Sequence, residues 1–116
     1  MRWQTSLKER SFNLAAELLK AAQRISRNGP QQAHIAQQLF RAASSVGASL
    51  EEGEVALSRK DMAHKHALAL REARETAYWF RMLVAAGEPK GSLEVLQQEA
   101  SEIVAMLTAS VKKLRG

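Results

Sequence analysis

Cysteine is absent from the 116 residues, which excludes a disulfide framework, a thiolate nucleophile and any cysteine-ligated metal site. Only two prolines and six glycines punctuate the chain, and aromatic residues make up just 5% of it. Aliphatic side chains and alanine therefore supply most of the 46% hydrophobic content, a helical composition. No run of about 18 apolar residues occurs, so a membrane-spanning helix is not expected. The opening MRWQTSLKER is charged and lacks the apolar stretch of an export signal. A cytoplasmic protein of one domain, residues 1–116, with a core of its own is the expectation. Acidic residues are scarce in the first half: residues 1–50 hold seven Lys or Arg against two acids, whereas residues 51–116 hold ten of each. Such an excess predicts a basic patch suited to nucleic acid or another acidic partner.

The turn signals divide the chain into four helices. Ser6 followed by Glu9 has the spacing of a capping box and Asn28-Gly29 forms a stop, giving a first helix over about 6–27. Pro30 suits a first turn, and Ile35, Leu39, Ala42, Val46 and Leu50 then recur at intervals of three and four, so the second helix spans about 30–52 and closes near Gly53. Ser58 with Asp61 opens a third helix over about 59–86 that ends at Gly87 and Pro89. Ser92 caps a fourth over about 92–114, in which Leu93, Leu96, Ala100, Ile103, Leu107, Val111 and Leu114 form a nearly strict heptad. Short connections favour antiparallel neighbours, so the expected fold is all-α, an antiparallel up-down-up-down four-helix bundle.

The third helix carries more apolar surface than one core requires. Met62, His66, Ala69, Ala73, Ala77, Phe80 and Val84 form the stripe that would face the interior. Leu68, Trp79 and Met82 fall on the far side, interleaved with Glu72 and Glu75. A wet face bearing Trp, Leu and Met predicts a second buried surface, supplied by another copy of the chain, with Phe40 of the second helix as a further contact. Glu72 has no basic residue three or four positions away, so its partner must come from another helix or subunit, with Arg41 a candidate. The first helix also has two stripes, Leu7, Leu14, Leu18 and Ile25, and Phe12, Ala16 and Leu19 about 120° away, which a broad arc on a single core would explain. In the second helix the small residues Ala42 to Ser45 and Gly47 to Ser49 permit close approach of a neighbouring backbone.

Few side chains invite chemistry. Glu72 and Glu75 lie one turn apart and could form an acid/base pair, but no nucleophile, oxyanion donor or phosphate loop accompanies them. Asp61 and His64 share a face and could hold a metal, yet His66 points about 160° away from His64. A small bundle enzyme or metal protein built on Glu72/Glu75 or Asp61/His64 is thus the alternative to a non-enzymatic protein without a cofactor, metal or small-molecule substrate. Lys20, Arg24 and Arg27, joined by Arg2, fall within one arc of about 60° and form the candidate nucleic-acid surface, with Trp3 the nearby aromatic. A membrane-surface role for this helix is disfavoured because the bundle needs its apolar face.

Gln38 to Gly53, QLFRAASSVGASLEEG, followed by Ser58 to Leu83, SRKDMAHKHALALREARETAYWFRML, resembles the four-helix-bundle family named after proteins encoded in 23S rRNA intervening sequences, and Ser11-Phe12 extends the likeness. Val46-Gly47-Ala48 departs from it where many relatives place a proline, so the helix is expected to continue. The resemblance implies rings of bundles, often pentamers, with no enzymatic activity. A similar fold serves as the accessory variability protein of diversity-generating retroelements, which binds a reverse transcriptase and nucleic acid. The combined expectation is a homo-oligomeric scaffold or adaptor with nucleic acid or a nucleic-acid enzyme as its partner class.

Overall fold

The computed structural model describes residues 2–116, with side chains from Leu7 onward. Four helices make up nearly all of it: α1 (Arg2–Ile25), followed by one 3-10 turn (Ser26–Asn28), α2 (Pro30–Glu54), α3 (Arg59–Ala85) and α4 (Lys90–Arg115). Cross-links between helices read out their directions. Lys8 near the start of α1 meets Glu54 at the end of α2, Lys65 early in α3 meets Glu52, and Arg59 at the start of α3 donates to the carbonyls of Lys113 and Leu114 at the end of α4. Each neighbour is therefore antiparallel, and the four helices form a rod of 45 × 20 × 20 Å.

Helix ends follow local chemistry, with three departures from the sequence reading. Ser58 caps α3 as expected, its hydroxyl accepting from the Asp61 N–H at 3.0 Å while the Asp61 carboxylate accepts from the Leu57 N–H at 3.3 Å. Gly29 and Gly87 adopt positive φ, 141° and 101°, where a side chain would be strained. Ser6, however, lies inside α1 rather than at its start, because nothing in residues 2–5 breaks a helix. Ser92 likewise sits inside α4, and its hydroxyl donates to the Pro89 carbonyl at 2.8 Å instead of capping. Gly53 does not close α2, which runs one residue further; it is buried against α3, where a Cβ would stand 3.4 Å from the His66 ring.

The core is one cluster. Leu7, Leu14, Leu18 and Ile25 of α1 meet Leu39, Val46 and Leu50 of α2, Ala69, Ala73, Phe80 and Leu83 of α3, and Leu93, Ile103 and Leu107 of α4. Thr76 and Leu83 are buried on α3 whereas Met62, Ala77 and Val84 are half-buried, so the interior-facing line is turned slightly from the predicted stripe. No helix among the described residues is long and apolar enough to cross a membrane.

Ser11 carries the one buried side-chain polar atom without a partner among the described residues. Its residue is 1% exposed and its hydroxyl has no hydrogen-bond partner among the described residues, next to a void of about 10 Å³ bounded by Ala43, Ala73, Thr76 and Ile103. An unsatisfied buried hydroxyl is unfavourable, so Ser11→Ala is expected to raise stability by about 1 kcal/mol in urea unfolding. A loss of stability would show that the hydroxyl has a partner.

Candidate interaction surfaces

The second face of α3 is largely used within the chain. Glu72 lies 3.5 Å from the Arg41 guanidinium and Glu75 forms an ion pair with the same group, so α2 supplies the charge that the sequence left unpartnered. Trp79 donates its indole N–H to Glu75 Oε2 at 2.9 Å. That bond, with Arg41 beside it, holds the Glu75 carboxyl below its usual range. His34 of α2 meets Trp79 edge-on at 6.3 Å, and Trp79 meets Tyr78 edge-on at 5.3 Å. Trp79, Met82 and Phe40 are half-buried and pack on the core cluster, and Leu68 is also half-buried. Of the predicted interface residues, Glu72, Glu75 and Trp79 thus meet α2, with both carboxylates engaged by Arg41.

Exposed apolar side chains also line a groove between α1 and α2. Phe12 is 68% exposed and Leu19 45%, so the second stripe of α1 is not part of a broad arc on one core. Beside it Ser44, Gly47 and Ala48 leave a hollow that Phe40 closes at one end, giving a groove of about 460 Å³. Helix α2 continues unbroken through Gly47, and a Cβ there would meet nothing within 4 Å. The sequence did show Phe12 and Leu19 as a separate stripe. What it could not show was that α1 is rotated to turn them outward.

Two of the four cations of the expected basic patch have acidic partners. Lys20 pairs with Glu17 at 3.3 Å, and Arg24 stands 3.8 Å from the buried Glu88, which also accepts from Asn28 at 3.1 Å. Arg27 is exposed, and the side chain of Arg2 and that of Trp3 lie outside the described residues. Lys8 faces Glu51 and Glu54, and Arg10 forks onto Glu99 at 2.7 Å and Glu102 at 2.6 Å, tying α1 to α4. Those bonds raise the Arg10 pKa and lower that of Glu102. The division at residue 50 also cut through α2. Split at the α2–α3 turn, residues 1–54 carry seven cations and five acids, and residues 55–116 ten and seven, so neither hairpin dominates. Cations without an acidic partner among the described residues include Arg71, Arg74 and Arg81, all exposed on α3. Their spacing was readable in the sequence but was obscured by the interleaved Glu72 and Glu75.

The residues considered for chemistry have local roles. Asp61 caps α3, His64 is exposed, and His66 is buried with its Nδ1 2.7 Å from Ser110 Oγ. Burial pushes the His66 imidazole below its ordinary pKa.

Comparison with known proteins identifies the bundle. The model of the family described as 23S rRNA-intervening sequence protein matches residues 4–109. The chain belongs to this family. Among solved structures, a protein of unknown function from the S23 ribosomal protein family of Bacteroides thetaiotaomicron VPI-5482 shares 26% identity and superposes with a TM-score of 0.85, covering 94% of this chain and 97% of that one. No curated protein matches the chain. The family match spans the α1–α2 groove and the α3 seam alike, and the antiparallel four-helix bundle agrees with the family reading of the sequence.

Proposed function

We propose that this family member is a non-enzymatic, cytoplasmic, homo-oligomeric scaffold or adaptor, assembled through the α1–α2 groove and offering a repeated surface to nucleic acid or to an enzyme that acts on it. The observation that carries the reading is the presence on one chain of a knob and a hollow: Phe12 and Leu19 stand exposed, and the small residues Ser44, Gly47 and Ala48 leave an apolar recess beside them. Within one chain Phe12 remains mostly solvated. A second copy that inserts its own Phe12 and Leu19 removes that surface from water, and a head-to-tail repeat, in which the knob of each copy enters the hollow of the next, closes a ring. Five subunits is the number implied by the resemblance to rings of similar bundles. The carboxylates that an enzyme would need, Glu72 and Glu75, are engaged by Arg41 and Trp79, which supports a structural rather than a catalytic use.

Light scattering on the purified protein tests the assembly. The wild type is expected at a multiple of 12.8 kDa, and Phe12→Glu, which places a charge in the apolar contact, at the mass of one chain with unchanged helicity. A single-chain mass for the wild type would overturn the reading.

A further inference from the structure

We propose that the exposed face of α3 is a binding strip for single-stranded nucleic acid, with Tyr78 as a stacking platform flanked by Arg71, Arg74 and Arg81 as phosphate contacts. Spacings of three, four and three residues bring these side chains within an arc of about 80° over a length of about 15 Å. All four are exposed, Tyr78 by 52%. The strip lies apart from the basic arc of α1 and needs no second subunit, because one helix supplies every group.

Charge and order both favour this partner. The acids nearest along α3, Glu72 and Glu75, are taken up by Arg41, and Glu75 also accepts from Trp79. The three arginines have no acidic partner among the described residues and remain available to anions. Tyr78 is not a loose surface ring: Trp79 abuts it edge-on at 5.3 Å, and Trp79 is itself fixed by Glu75 and by the His34 ring. A ring held in place loses little freedom when a base stacks on it. Guanidinium groups match phosphate oxygens in pairs, and a half-exposed aromatic between them suits the unstacked bases of a single strand. A duplex would engage the arginines and leave the tyrosine unused, as would an acidic peptide.

Fluorescence anisotropy with a labelled oligouridine, an RNA duplex of equal length and polyglutamate is the test. Oligouridine is expected to bind most tightly, with affinity falling steeply between about 50 and 200 mM salt. Tyr78→Ala weakens it about tenfold, whereas Tyr78→Phe retains the stack. Replacing Arg74 and Arg81 together by Ala lowers the salt slope by roughly 1.4. Circular dichroism verifies that these surface variants remain folded, and a chain made monomeric by Phe12→Glu keeps its dependence on Tyr78, which separates this proposal from that of assembly. The proposal is overturned if oligouridine fails to bind at about 50 mM salt, if Tyr78→Ala binds like the wild type, or if duplex or polyglutamate binds equally well.

Discussion

Phe80→Ala is expected to remove about 3–5 kcal/mol of stability, a large share of the roughly 5–15 kcal/mol available to a domain of this size. Phe80 is 0% exposed and is the only Phe, Tyr or Trp among the buried residues described. The three buried residues just before it on the α3 core line, Ala69, Ala73 and Thr76, are small, and Leu83 is the one large aliphatic that follows. Alanine has no side-chain torsion with which to fill a neighbouring void, so truncation leaves a cavity rather than a repacked core. Helix ends bonded across the bundle, such as Arg59 to the carbonyls at the end of α4, resist collapse onto it. Thermal unfolding is expected to shift downward by roughly 10–25 °C. A loss under about 1 kcal/mol would mean that the helices slide together around the site.

The buried His66–Ser110 pair has the second largest expected effect. Ser110 is 3% exposed and His66 7%, and their 2.7 Å contact is the ring's one hydrogen bond among the described residues. Ser110→Ala leaves the imidazole Nδ1 buried without that partner and is expected to cost about 1–3 kcal/mol. Adding His66→Leu to it removes the unpaired group and recovers most of the loss. The same pair sets a pH dependence. Burial lowers the His66 pKa in the folded chain from the ordinary 6.5, so the unfolded chain takes up the proton first. Stability is therefore complete above about pH 6.5 and declines as the pH falls below it. Lys8 and Glu54 line the same recess with Gly53 and Met62, and the Lys8–Glu54 pair keeps the two charges there balanced. Glu75 and Glu102, whose pKa values are lowered from 4.5, lose their contribution only in more acid solution. Urea unfolding at a series of pH values should show the decline in the wild type and its loss in His66→Leu; an equal decline in both would assign it elsewhere.

Helix number, order and connection were legible because they are written in local chemistry. Gly29 and Gly87 have to stop a helix, Ser58 with Asp61 has to start one, and the heptad from Leu93 to Leu107 has to face a core. The rotation of each helix about its axis was less legible, because it depends on which neighbour lies opposite. Trp79 and Met82 looked unpartnered on α3 alone, and α2 meets them. Phe12 and Leu19 looked like the margin of a wide core face, and α1 turns them to solvent. Pairing across long separations was hidden for the same reason. Arg10 and Glu99, or Arg24 and Glu88, are distant in the chain, and only Arg41 with Glu72 could be singled out, from the lack of a cation three or four positions away from Glu72.

Gly47 has a consequence that reaches beyond its own helix. Glycine inside a helix is less stable than alanine by roughly 0.5–1 kcal/mol, and nothing within the chain prevents a methyl group there. The isolated chain is thus held short of its own most stable sequence at a position on the floor of the groove. Under the proposed assembly that methyl group would stand where a neighbour's side chain must seat. What stabilises one subunit and what lets subunits meet are then different demands on the same residue, and a search for thermostable variants of the single chain would select against the complex.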